Sequence, residues 1–270
     1  MVGEMVGEGQ TMNTILATSY DSNYKWGAAW KASLEKHCNI PFEIIDMDET
    51  STKMPNNIIQ HGEFLDYLKP GEPDDVIIFS DADCVLQRGF SEKELKWFGE
   101  LQFGHMAAGF AASSIFSLAL EGALGLGRFK NEPGDKFPII FKDYEKFPTF
   151  CTGVVVASRE TWQVHRKWFE SYWPVVDAIW IHYARIQWLM SYVMGRFLLS
   201  RLLPESVTQH GFRQKPMAMS EDDLGNILMD GEKIAIRHAI NLIPPKEPAP
   251  PKETVRVPIP GSTAPLAWEP

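Results

Sequence analysis

Val76-Ile-Ile-Phe-Ser-Asp81-Ala-Asp83 is the stretch that decides the fold. Four apolar residues in succession fit a strand covered on both faces, as strands of parallel sheets are. The strand then runs into two carboxylates, one residue apart. In an extended chain, residues two apart point to the same side, so Asp81 and Asp83 can face one ligand together. Adjacent negative charges repel unless a cation sits between them. Carboxylate oxygens are hard donors suited to Mg2+ or Mn2+, which keep positions open for phosphate oxygens. A turn or helix cap is the competing explanation, since Asp is common at both.

Working upstream, Thr14–Thr18 is a short apolar run that fits a buried strand. Trp26, Ala29, Trp30, Ser33, Leu34 and His37 follow at helical spacing, and Phe42–Asp46 is a second strand. Residues 57–68 predict another helix, closed by Pro70 and Gly71. The first 80 residues therefore alternate β-α-β-α-β, the order of a doubly wound α/β sheet. Ligands of open α/β sheets bind beyond the carboxyl ends of the strands, here Thr18–Tyr20, Asp46–Asp48 and Ser80–Asp83.

Downstream, His105–Ala111 reads as a strand, and residues 112–147 as an insertion or lid. Thr152–Ala157 is a further strand. A helix follows from Ser158 or Arg159, with Trp162, Trp168, Phe169, Tyr172 and Trp173 expected in the core. Residues 178–202 are strongly apolar and expected helical, and Lys233–Arg237 is a late strand leading into His238. Residues 1–12, with MVGE twice, are expected to be a flexible terminus. Residues 13–243 are the expected domain. After Ile243 the tail holds nine prolines in 27 residues, which rules out regular helix or sheet.

Composition narrows the function classes. The chain has 270 residues, 44% hydrophobic and 23% charged, with a formal net charge of −9. That balance argues against a broad nucleic-acid surface. The three cysteines form no CxxC, so they read as reduced and the compartment as cytoplasmic. The longest uncharged stretch, Met106–Leu120, is too short to span a bilayer. A homo-oligomer is left open.

The Asp81-Ala-Asp83 arrangement resembles the Asp-x-Asp motif of GT-A-fold glycosyltransferases, the glycogenin-like family in particular. Ile15–Ser19 with Tyr24 is similar to that family's first strand and nucleotide-contacting loop. Ser33-Leu-Glu-Lys-His37 is similar to its next helix, and Phe150-Cys-Thr-Gly153-Val-Val-Val-Ala157 to its "NTGV" strand, with Cys151 in place of Asn. The resemblance implies a GT-A-type, Rossmann-like mixed sheet flanked by helices. It implies a nucleotide-sugar donor, with UDP favoured, contacted by Ala17, Thr18, Ser19, Tyr24, Asp48, Asp81, Thr152 and Gly153. It also implies Mn2+ or Mg2+ held by Asp81, Asp83 and a histidine. His238, after the last strand, is favoured over His210. The family's acid before Gln is missing at Ala184–Gln187. Glu221 and Asp222, in Ser220–Leu224, resemble the acidic motif of inverting enzymes, so the candidate catalytic residues are Asp222, Glu221 and Gln187. A helix N-terminus capped by Ser220 is the other reading of that stretch. Inversion or retention stays open. So does the acceptor, whether protein, glycan, small molecule or modified nucleobase. Three other functions compete. A sugar-phosphate nucleotidyltransferase would carry a Gly-rich loop with a basic residue right after its first strand, which Thr18–Tyr24 lacks. Phe79–Val85 also matches a haloacid-dehalogenase-like phosphatase pattern, with Asp81 as nucleophile. The substitutions at Cys151 and before Gln187 fit a non-catalytic nucleotide-sugar-binding domain.

Overall fold

The computed structural model describes residues 13–50, 61–101, 103–107, 150–179, 185–198, 200–204, 206–210, 219–221, 226–229 and 231–238. The expected insertion at 112–147, the N-terminus and the proline-rich tail lie outside the described residues.

A six-stranded mixed sheet forms the centre. Its strands are β1 (Thr14–Tyr20), β2 (Phe42–Asp46), β3 (Val76–Ser80), β5 (Phe103–Ala107), β6 (Phe150–Ser158) and β7 (Ser200–Leu202), with β4 (Cys84–Leu86) set apart. The order across the sheet is β2-β1-β3-β6-β5-β7. β1 pairs parallel with β2 and with β3. β6 pairs antiparallel with both β3 and β5, and β5 pairs parallel with β7. Only β6 runs against the rest, so the sheet is mostly parallel.

Alternation along the strands builds a core on each face. Leu16, Val76, Ile78, Val154 and Val156 pack on one side with Trp30, Leu34 and Phe98. These last three come from helices α1 (Gly27–His37) and α2 (Glu92–Gly99). Ala17, Ile77, Phe79, Val155 and Ala157 pack on the other side with Phe64, Trp162, Phe169 and Leu189. That face is covered by α3 (Arg159–Ile179) and α4 (Arg185–Phe197). All five residues of β3 are buried, as its unbroken apolar run predicts. No helix among the described residues is long and apolar enough to cross a membrane.

Several elements differ from expectation. Within 57–68, the described part (61–68) has 3-10 geometry at His61 and over Glu63–Asp66 rather than an α-helix. Gly62 has φ 124 and breaks any helix there. Residues 200–202 are strand rather than helix, pairing with β5. Trp162, Phe169 and Trp173 are buried, but Trp168 is 36% exposed on the outer side of α3. Lys233–Arg237 is divided between β11 (Glu232–Lys233) and β12 (Ile236–His238). Ser220 does not start a helix: Met219–Glu221 is strand β9, paired with β10 (Ile227–Met229) and through it with β11. Gly231, at φ 84, makes the turn between β10 and β11.

A third, three-stranded sheet matters most for the site. β12 pairs antiparallel with β4 and parallel with β8 (Thr208–His210). It carries the end of the domain back to the residues just after β3.

Candidate metal and donor site

Parallel pairing puts the carboxyl ends of β1, β2 and β3 on one edge of the central sheet. Ser80 pairs with Val154, so the amino end of the reversed strand β6 reaches the same edge. Four segments converge there: Ser19–Tyr24, Asp46–Asp48, Asp81–Asp83 and Thr152–Gly153.

Asp81 leaves β3 with its N–H donating to the Gly153 carbonyl at 2.8 Å. Ala82 is buried in the core between the two aspartates, which fixes the backbone between them. The register of β4 and β12 sets His238 opposite Cys84, one residue beyond Asp83. His238 Nε2 lies 3.1 Å from Asp83 Oδ1 and 3.8 Å from Asp81 Oδ2. His238 is 3% exposed. Asp83 Oδ1 is enclosed, makes no geometrically sound hydrogen bond and faces the His238 imidazole at 3.1 Å, a costly state for a carboxylate oxygen unless a cation, imidazolium or metal, completes it. Two carboxylates and an imidazole at these distances are a donor set for one divalent ion.

The electrostatics agree. Burial, and after it the Asp83 charge, push the Asp81 carboxyl up to about 7, with His238 pulling the other way. The Tyr24 phenol is raised well above its ordinary value, first by burial and then by Asp83 and Asp81. Tyr24 therefore stands beside the carboxylates while remaining 36% exposed.

Gly153 has a packing role that its motif does not reveal. A Cβ built there would come within 2.6 Å of His238 Cε1 and Nε2. The imidazole lies against bare backbone, and Asp81, whose carboxylate faces it, is anchored through its N–H by the carbonyl of the same glycine. Thr152 is buried beside it.

The remaining candidates fall in several places. Ala17 and Thr18 are fully buried. The Thr18 hydroxyl accepts from Trp30 Nε1 at 3.0 Å, so it is engaged in the core, and of the three candidates on β1 only Ser19 is partly open. Asp48 is exposed and accepts from the Ser22 N–H at 2.9 Å. The Ser22 hydrogen bonds hold its carboxyl below the usual range and tie the β2 end to the loop after β1. His210 is the register partner of His238 in the small sheet. Gln187 lies on α4, the helix covering the opposite core. Glu221 closes β9, and Asp222 lies outside the described residues.

Arg88 escapes a sequence reading because it belongs to no motif. Its guanidinium donates to the carbonyls of Lys233 at 2.6 Å and Ser206 at 3.0 Å, and grips both oxygens of Glu94. Gln87 adds bonds to Ala235 and Ile234. Together they hold the segment that delivers His238. Cys84, a reduced thiol on composition alone, is buried within the same cluster. Its position directly after Asp83 is the one sequence signal that could single it out.

No family model matches the chain, and no curated protein does. Similarity is found among solved structures, and the structural neighbours named here are glycosyltransferases. The galactosyltransferase LgtC, in complex with donor and acceptor sugar analogs, aligns at 9% identity and TM-score 0.45, over 84% of this chain and 87% of that one. Mouse xyloside xylosyltransferase 1 in its apo form aligns at 10% identity and TM-score 0.49, over 84% and 97%. The bifunctional glycosyltransferase WbbM, also apo, aligns at 14% identity and TM-score 0.47, over 75% of this chain and 40% of that one.

Proposed function

We propose that the chain is a metal-dependent glycosyltransferase of the GT-A type, its domain spanning residues 13–243, that moves a sugar from a nucleotide-sugar to an acceptor hydroxyl. The observation that carries this reading is the meeting of Asp81, Asp83 and His238 at the carboxyl edge of a mostly parallel sheet. That edge is where ligands of open α/β sheets bind. The enclosed Asp83 Oδ1, faced by the His238 imidazole at 3.1 Å, supports a cation there. Mn2+ or Mg2+ would be held by Asp81, Asp83 and His238, and would supply Lewis-acid stabilisation of the departing diphosphate.

The chain's own residues supply the rest. Ser19 borders the site from β1 and Tyr24 from the loop after it, and Asp48 fixes that loop through Ser22. These line the place proposed for the nucleoside, with UDP as the favoured donor base. Thr152 and Gly153 floor the site, the second by leaving room for His238. Glu221 or Asp222 is the proposed base that takes the proton of the acceptor hydroxyl, with Gln187 a further candidate contact.

The test is a panel of nucleotide-sugars incubated with the full chain, with and without Mn2+, followed by nucleotide release. Metal-dependent release from one donor, lost in Asp83→Asn, is the expected result. Binding without turnover for every donor would leave a nucleotide-sugar-binding domain instead. Phosphate release from sugar phosphates without nucleotide release would replace the transferase by a phosphatase.

A further inference from the structure

Cys84 takes no part in the reaction proposed above, yet it stands inside the ion cluster. Its side chain is fully buried, and its thiol donates to the Gly153 carbonyl at 3.7 Å. One ligand atom from each of Asp83, Cys84 and His238 lies within 4.8 Å of the other two. The β4–β12 register closes this triangle by setting His238 opposite Cys84.

A carboxylate, a thiol and an imidazole at that spacing are a different donor set from two carboxylates and an imidazole. Mn2+ and Mg2+ suit oxygen donors, whereas Zn2+ takes thiolate, imidazole and carboxylate together. We infer that this pocket binds Zn2+ through Asp83, Cys84 and His238, leaving one position for water. On binding, the Cys84 S–H proton leaves to solvent and the sulfur lone pair forms the bond to zinc. The thiol's weak hydrogen bond to Gly153 is given up, while Asp81 keeps its N–H bond to the same carbonyl.

This set shares Asp83 and His238 with the set proposed for Mn2+ or Mg2+. One ion therefore excludes the other, and Zn2+ acts as a tight competitor that leaves Asp81 without an ion. The inference stands on ligand geometry alone and does not depend on the identity of the donor.

The experiment uses the full chain, with Co2+ as spectroscopic probe and Zn2+ as competitor. A thiolate-to-cobalt charge-transfer band is expected to saturate at one ion per chain and to be displaced by Zn2+. It should vanish in Cys84→Ser and persist in Cys38→Ser and Cys151→Ser. Zn2+ affinity should fall at least about tenfold in Cys84→Ser, while Mn2+ affinity changes less than about twofold. X-ray absorption of the zinc-loaded wild-type chain should show one sulfur at about 2.3 Å. A zinc shell of oxygen and nitrogen only, or a band that survives Cys84→Ser, overturns the inference. The absorption measurement needs no substitution, so it decides the matter even if Cys84→Ser fails to fold. No readout involves sugar transfer, so the two readings fail separately: absence of turnover in the zinc-free, Mn2+-supplied chain would sink the transferase reading and leave a sulfur-bound zinc standing.

Discussion

The imidazole of His238 lies directly on the backbone of Gly153, close enough that any Cβ at 153 would sit 2.6 Å from two ring atoms. His238 is 3% exposed and cannot swing away into solvent. Gly153→Ala must therefore displace the ring from Asp83 or shift β12 from β4. Overpacking of this kind costs about 1–3 kcal/mol of stability. Mn2+ affinity is expected to fall about 10–100-fold, the range seen when a ligand's orientation is disturbed. Isothermal titration with Mn2+ alongside a thermal melt checks both. Wild-type Mn2+ affinity in Gly153→Ala would show that His238 is not a ligand.

The raised Asp81 carboxyl makes ion binding pH-dependent. Below about 7 the metal-free protein carries a proton that the cation must displace. Mn2+ affinity should rise about tenfold per pH unit up to about pH 7 and then level off. Stability without metal runs the opposite way. The folded carboxyl holds its proton more tightly than the unfolded one, so this contribution is full below the unfolded value and is lost as pH rises through about 7. Melting curves across this range with and without Mn2+ should converge at low pH and separate at high pH. Asp81→Asn should flatten both trends, and Mn2+ affinity independent of pH would contradict the assignment.

How much of this was legible in the sequence depends on the range of the interaction. Asp81 and Asp83 were legible because a four-residue apolar run delivers them to a strand end, and strand ends have a fixed side-chain period. His238 was legible only as the residue after a late apolar strand. Its distance to Asp83 comes from β4–β12 pairing, which no local pattern encodes. The same holds for Gly153, whose motif suggested a sugar contact and whose packing neighbour is an imidazole from the far end of the domain. The helix expected over 57–68 fails at Gly62, where φ 124 is a backbone choice that apolar spacing cannot reveal. Ser220 has the chemistry of a helix cap, but strand pairing with β10 governs that stretch instead. Trp168 shows that aromatic content in a helix does not tell which face it occupies.

His165 is expected to set part of the acid limit of stability. It is fully buried against Trp162 and Phe169, at centroid distances of 5.8 and 5.9 Å. Burial, with His61 contributing, lowers it to about 3. The unfolded chain takes up a proton near pH 6.5 that the folded chain refuses, so stability falls as pH drops below that value and keeps falling toward about 3. His165→Leu should give a shallower decline in melting temperature between about pH 6 and 4. An unchanged acid limb in a folded His165→Leu chain would assign the loss to other groups.

Arg88 should act on the site at a distance, through the chain it holds. Its guanidinium joins Glu94, which caps α2 together with Ser91, to the carbonyls of Ser206 and Lys233. The Glu94 side chain is only 9% exposed, so Arg88→Met leaves a nearly buried carboxylate without its cation. Breaking such a pair costs about 3–5 kcal/mol when both groups are fully buried. The Arg88 side chain is 30% exposed, so about 2–3 kcal/mol is expected here after discounting for solvent screening. Adding Glu94→Gln removes the stranded charge and should recover part of that loss. It cannot restore the bonds to Lys233 and Ser206, so β12 stays less firmly held. The double variant is therefore expected to melt nearer to wild type than Arg88→Met while still binding Mn2+ more weakly than wild type. Recovery of both properties together would mean that Arg88 serves stability alone and that β4–β12 pairing is enough to place His238.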